Sequence, residues 1–410
     1  MSSAGGARRL LVRDLAQLAT PAGDVVPLRG AALADVDVLE GAYVLCSGET
    51  IEAVGRMRDL SRLGDVEELD GRGLCAIPGL VDCHTHPCFA GDRVGEFALR
   101  AAGAGYEELH AAGGGIMSTV RATREAGPDA LAARVQEHRG WMLRAGTTTF
   151  EGKSGYGLDR DTELASLRAV REAGGVPTWL GAHAVPPEWP DADAYLEFAL
   201  AEVLPAAAEL AEAADVFLER GAFDTAQACR YLHACKDAGL ALRLHGDQFT
   251  EQGAVPLAIE LGARSVDHLE ATGPDGVAAL ARSAVAAVLL PASALFLGRP
   301  MPPARALVEE GAIVALATDF NPGSAFCESL PLVCSLAATQ LKLSPAEALA
   351  ACTVNAAHVL GRGDRLGRLA PGYAADIVLL EVPDWRYLAY HLGGQLVTGV
   401  VLKGAPAALP

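Results

Sequence analysis

Two histidines separated by one residue, His84 and His86, close an apolar run in IPGLVDCHTH. In an extended segment residues i and i+2 face the same side, so both imidazoles can address one ion. An isolated His-x-His pair is a weak signal on its own. Here two later apolar runs end in residues of matching type: His245 in LALRLHG and Asp319 in IVALATD. Three neutral imidazoles and one carboxylate suit Zn²⁺ or Fe²⁺ and leave room for a water ligand. A bound divalent ion lowers the pKa of that water towards neutrality, so the chemistry indicated is hydrolysis at a carbonyl-like or amidine-like carbon. Asp319 can reach both metal and water; it is expected to accept the proton of the nucleophilic water and return it to the leaving nitrogen. His268, in SVDHLE, is expected to donate a hydrogen bond to the developing oxyanion, against the alternative of a buried histidine bonded to backbone. Gln248 follows His245 by three residues in LHGDQF; it cannot titrate, so its amide can only orient water or substrate.

Residues so far apart need a scaffold that gathers them. Eight short apolar runs alternate with Ala/Leu/Glu-rich stretches: AIPGLVDCH, TTTFEG, VPTWLGAH, DVFLER, LALRLHG, SVDHLE, VAAVLLP and IVALATD. Strands buried on both faces read as continuous apolar runs. Intervening segments such as DTELASLRAVREAG (161–174) and DTAQACRYLHACKDAG (224–239) have helical character and end at Gly. Eight such units predict a (β/α)₈ barrel, whose active-site face lies at the C-terminal ends of its strands. The polar residues fall there: His84 and His86 on the first run, Glu151 and Lys153 on the second, His183 on the third. Glu219, His245, His268 and Asp319 follow on the fourth, fifth, sixth and eighth. The two ends of the chain have another rhythm. Residues 36–56, 372–382 and 395–404 are strand-like, which predicts one small sheet domain built from both termini rather than two unrelated extensions.

The composition is consistent with that plan. A chain of 410 residues with 51% hydrophobic and 20% charged residues can bury a large core. Its formal net charge of −18 argues against wide contact with nucleic acid or anionic membranes and does not forbid a local cationic pocket. Nine cysteines with no Cys-x-x-Cys pair read as reduced thiols of a cytoplasmic protein. The N-terminal apolar run is broken by Arg13 and Asp14, unlike a signal peptide, and Val277–Gly298 is interrupted by Arg282 and Pro291, which favours a buried helix and strand over a membrane span. AAGGGIM (111–117) lacks the Gly-Lys-Ser/Thr of a phosphate loop and reads as a flexible loop after the first strand, either closing over the site or ordinary.

IPGLVDCHTH, GARSVDHLE, ATDFNPG and APGYAADIVLLE together resemble the amidohydrolase superfamily over essentially the whole chain. Within it, FAGDRVGEF (89–97), GYEELHAAGGGIMSTVRATREA (105–126), FEGKSGYGLD (150–159), GAHAVPPEW (181–189) and DFNPGSAFCESLP (319–331) resemble the imidazolonepropionase family. The resemblance implies a TIM-like barrel of the metal-dependent hydrolase type over 76–365, with a small β-sandwich domain formed by 1–75 and 366–410. It implies hydrolysis of the ring amide of 4-imidazolone-5-propanoate to N-formimidoyl-L-glutamate, in histidine degradation. One divalent metal is implied, Zn²⁺ or Fe²⁺ with zinc slightly preferred, as is a homodimer. It also carries substrate contacts to Arg93, Tyr156, His183, Gln248, Asn321, Gly323 and Ser324. Arg93 offers a bidentate fork for the propionate; its alternative partner is Glu96 or Asp92. Dinuclear superfamily members place a carboxylated lysine on the fourth strand. Lys153 follows the second run here and the fourth carries Glu219, so a single ion is expected. The competing readings are another amidohydrolase, such as a deaminase of a purine-, pyrimidine- or guanidine-like compound, and a barrel without catalysis that serves in assembly.

Overall fold

The computed structural model describes residues 8–103 and 114–409. Five strands open the chain: β1 (Arg9–Pro21), β2 (Val36–Ser47), β3 (Thr50–Arg56), β4 (Glu67–Asp70) and β5 (Cys75–Pro78). Eight occupy the centre: β6 (Leu80–Asp82), β7 (Thr147–Lys153), β8 (Val176–Ala182), β9 (Ala213–Leu218), β10 (Ala241–Gly246), β11 (Ser265–His268), β12 (Ala286–Leu289) and β13 (Ile313–Leu316). Three more close it: β14 (Ile377–Leu380), β15 (Val397–Leu402) and β16 (Ala405–Pro406).

β6 to β13 neighbour one another in chain order, and β7 to β13 pair in parallel. The bridge between Thr85 and Phe320 brings the two ends of this sheet together, making a nearly closed eight-stranded barrel. Each of the eight apolar runs contributes one of these strands. The first run is divided at Gly79: β5 joins the chain-end sheet and β6 starts the barrel. Gly79 donates its N–H to Asp376, and a Cβ there would stand 2.2 Å from Thr148 Oγ1, so the chain can pass only without a side chain. The expected helices are present at Arg160–Glu172 and Thr225–Asp237. Asp159 accepts from Thr162 N at the first, and Asp224 and Gln227 cap the second reciprocally. Gly174 and Gly239 follow them at φ 77° and 85°, the left-handed stop that glycine allows.

The chain-end sheet runs β16-β15-β14-β5-β1-β2-β3, with β4 beside β1. The termini meet where β14 lies antiparallel to β5, Ile377 opposite Pro78 and Leu380 opposite Cys75. Leu10, Val12, Val44, Ile51, Ile377 and Val401 are buried in its core. Contacts divide the chain into two compact units. One holds the chain up to Cys83, Gly140–Thr149 and the chain from Ser329; the other holds His84–Arg139 and Phe150–Glu328. Every residue singled out for chemistry belongs to the second. Val277–Gly298 contains the end of a helix (Pro274–Ala281) and then β12, and among the described residues no helix is long and apolar enough to cross a membrane. The cysteines are free thiols, and only Cys229 and Cys327 are not buried. Residues 111–113 of the glycine-rich segment lie outside the described residues; its last two residues, Ile116 and Met117, are not loop but open a helix (Ile116–Ala126).

Candidate active site

His84 and His86 flank the closing bridge of the barrel. Asp319 N donates to His84 O and His86 N to Phe320 O, so the first and last strand ends are stitched together at the histidines. The side chains converge as the spacing suggested. His86 Nε2 lies 3.3 Å from the Nε2 of both His84 and His245, and Asp319 Oδ1 lies 3.4 Å from the Nε2 of both His84 and His86. All four side chains are almost wholly buried. Their opposite edges explain the arrangement. His84 Nδ1 is 2.6 Å from Asp267 Oδ2 and His245 Nδ1 is 3.1 Å from Asp215 Oδ1. A carboxylate can only accept, so each Nδ1 carries a proton, and a neutral ring so held turns its Nε2 lone pair to the centre. Lone pairs facing one another in a dry site repel unless a cation lies between them. Metal–ligand bonds of about 2.0–2.1 Å place tetrahedral ligands about 3.3–3.4 Å apart, so the residues fit a divalent ion. Burial pushes the pKa of His86 and of His245 down, favouring neutral rings. His268 closes the same cluster, with a ligand atom within 4.8 Å of those of His84 and Asp319.

Beneath these four side chains the barrel is filled by charge. Lys153 Nζ lies 3.0 Å from Glu151 Oε1 and 2.7 Å from Asp215 Oδ2. Arg243 reaches Glu151 Oε1 at 2.5 Å and Asp267 Oδ2 at 3.0 Å. All five side chains are at most 1% exposed. Asp215 and Asp267 thus each contact one of these histidines as well as a buried cation. Asp267, beside His268 in sequence, serves His84 instead. The signal available in the sequence was a charged residue inside an apolar run two places before a site residue, as Arg243 stands to His245. Lys153 has its ammonium between carboxylates. Glu219 accepts from the backbone N of Arg220, Phe249 and Thr250, which fixes the loop bearing Gln248. Glu219 is in no metal-ligating group among the described residues.

A cavity of about 500 Å³ opens above the cluster, and all the expected substrate residues line it. Tyr156 sits in a loop whose N–H groups at Gly155, Gly157 and Leu158 converge on buried Glu163. His183 donates from Nδ1 to Gly155 O at 2.9 Å and stacks on His86, with ring centroids 5.5 Å apart. Burial and the neighbouring His86 push its pKa down to about 3. Asn321 makes the turn that follows Asp319: its amide donates to Asp319 O and Ser324 Oγ, while its Oδ1 accepts from Gly323 N and Ser324 N. Ser324 Oγ in turn donates to Asp319 Oδ2 at 3.2 Å. Asp247, His268 and Asp319 have φ of 53°, 88° and 56°, a strained region for residues with a side chain, concentrated at the strand ends that carry the site.

Arg93 pairs with Glu96, through Nε at 2.8 Å and NH2 at 2.5 Å, and not with Asp92. Its remaining nitrogen, NH1, faces Gly323, where a Cβ would come within 2.1 Å. Gly323→Ala should therefore displace the guanidinium and raise KM by about tenfold, the worth of one charge-assisted hydrogen bond, with kcat less affected. Steady-state kinetics check this, and an unchanged KM would detach Arg93 from substrate binding. Glu96 lines the cavity too, as do Arg100, Phe217, Phe249, Leu297 and Arg299, to which no motif in the sequence points.

Residues 75–405 match the amidohydrolase family model. The chain is 61% identical over 405 residues to the imidazolonepropionase of Rubrobacter xylanophilus, covering 96% of this chain and 97% of that one. Among solved structures, a triazine hydrolase variant superposes with a TM-score of 0.71 at 19% identity, over 97% of this chain and 94% of its own. An adenosine deaminase from Xanthomonas campestris with bound zinc gives 0.69 at 20% identity, over 97% and 92%. Those two likenesses speak to the fold. The architecture, the histidine-rich centre at the strand ends and the full-length match to a close relative converge: the chain belongs to the amidohydrolase family and, within it, to the imidazolonepropionases.

Proposed function

We propose that this chain adds water to the ring carbonyl carbon of 4-imidazolone-5-propanoate, breaks the ring C–N bond and releases N-formimidoyl-L-glutamate. The observation that carries the reading is the convergence of three imidazole nitrogens and a carboxylate oxygen, with contacts of 3.3–3.4 Å, beside a cavity that arginine also lines. His84, His86, His245 and Asp319 would hold one divalent ion, Zn²⁺ or Fe²⁺ with zinc slightly preferred. That ion lowers the pKa of water and polarises a carbonyl. Asp319, ionised and fixed by Ser324, takes the proton released as water attacks and passes it to the ring nitrogen as the C–N bond breaks. His268 donates to the oxygen that gains charge. Gln248, buried beside them, orients water or substrate through its amide. Arg93, Tyr156, His183, Asn321, Gly323 and Ser324 form the substrate-binding wall. A homodimer in the cytoplasm completes the proposal. The net charge of −18 supports a small-molecule partner over nucleic acid or membrane.

The test is turnover of 4-imidazolone-5-propanoate with separate detection of formimidoylglutamate and ammonia, before and after chelation. Formimidoylglutamate should form, cease on chelation and return with added zinc or iron. Ammonia release alone would transfer the chain to the deaminases, and no product from metal-loaded protein would refute the hydrolase reading.

A further inference from the structure

Three arginines line the cavity, and they are not in equal states. Arg93 and Arg100 both converge on Glu96: Arg93 through Nε and NH2, Arg100 through NH2 at 2.7 Å. Glu96 also accepts the backbone N–H of Gly115. Its carboxylate neutralises much of the charge the two arginines bring, and Arg93 keeps only NH1 for a ligand. Arg299 differs. It follows the helix Pro291–Phe296 that succeeds β12, is anchored by its own N–H on Ala294 O, and is solvent-exposed. Its guanidinium carbon stands 5.2 Å from the centroid of the Phe249 ring. No carboxylate among the described residues lies within ion-pair distance of it.

The shelf beneath it is built. Phe249 is the residue after Gln248, and its backbone N–H is fixed at 2.8 Å by buried Glu219. An aromatic face orients a guanidinium without consuming its N–H donors, because the attraction acts through the ring face. Arg299 therefore keeps its donor fork for a planar anion, in the cavity that Gln248 and His268 also line. The chain as a whole repels anions, so a cation at the mouth of the cavity has both a recruiting and a binding consequence.

We infer that Arg299, seated on Phe249, is a second cationic contact for the carboxylate tail of the substrate and sets the preference for acids over neutral ring amides. This rests on the proposed activity and adds a specificity determinant to it. The experiment compares 4-imidazolone-5-propanoate with its side-chain primary amide in wild-type and Arg299→Gln protein, at low and high ionic strength. The substitution should lower kcat/KM for the acid by about fivefold, the upper range for an exposed charge pair, with the loss in KM. The amide should lose far less, and the wild-type preference for the acid should weaken with salt more steeply than that of the variant. Phe249→Leu should act in the same direction, because it removes the shelf and leaves the charge. An equal loss on acid and amide would mark Arg299 as structural, and no loss on either would overturn the inference. Calorimetric binding of imidazolepropionate and its amide separates the two readings. If wild type shows no turnover the proposed activity falls, while discrimination between these two probes, and its loss in Arg299→Gln, still decides for or against Arg299.

Discussion

Asp319→Asn should lower kcat by about 10³-fold, within the span usual for a positioned acid–base group. The substitution is close to isosteric. Asn tolerates the left-handed backbone better than most residues, so φ of 56° at this position presents no new obstacle. The amide can still face the histidine cluster and can still accept from Ser324 Oγ. What it cannot do is take up a proton at neutral pH or bring negative charge to the three imidazoles. Part of the loss will therefore be weaker metal retention, and metal content must be measured alongside kcat on the same sample. Protein with a full equivalent of metal and near-normal turnover would remove Asp319 from proton transfer. Protein without metal whose activity returns fully on metal addition would confine the residue to ligation.

The second large effect concerns a residue that never meets substrate. Lys153→Met should destabilise the fold by about 3–5 kcal/mol, the usual consequence of removing one partner from a buried ion network. Lys153 is fully buried between Glu151 and Asp215, with Asp267 3.7 Å away. Methionine fills similar volume, so little of the loss comes from a cavity. The cost is charge: three carboxylates would be left with Arg243 as their one network cation, out of reach of water. The midpoint of urea unfolding measures this in the metal-loaded protein. The double variant Lys153→Met with Glu151→Gln removes one charge of each sign and should recover part of the loss. A midpoint unmoved by the single change would mean that the network contributes nothing to stability. Asp215 and Asp267 also hold His245 and His84, so metal affinity should fall together with stability.

The contrast between these two residues shows how legible the site was. Asp319, His84, His86 and His245 could be singled out because each ends an apolar run, and a barrel presents the ends of all its strands on one face. Lys153 was noticed for the same reason, but its work was not, because a lysine at a strand end does not reveal its acceptors. Asp215 and Arg243 lie within runs and passed for ordinary strand residues. Arg93 is a similar case. Its motif gave the residue, yet only the packed structure shows Glu96 holding two of its nitrogens and Gly323 leaving room for the third. Asn321 and Ser324 were expected against substrate; their bonds in the structure are to the turn that orients Asp319, a use that depends on a backbone conformation no motif spells out.

Local patterning alone determined the number and type of elements: eight buried runs with intervening helices, β-rich ends, and histidines spaced to face one side. It did so because side-chain periodicity and capping act over a few residues, and the sequence displays those distances directly. The tertiary structure decided the partnerships: Ile377 beside Pro78, Asp267 on His84 rather than Asp267 with its neighbour His268, Glu219 on the loop of Gln248, and Arg299 on Phe249. Which charge meets which depends on how the strands are registered when the ring closes. In a dry interior a shift of an ångström or two exchanges one acceptor for another at a cost of several kcal/mol.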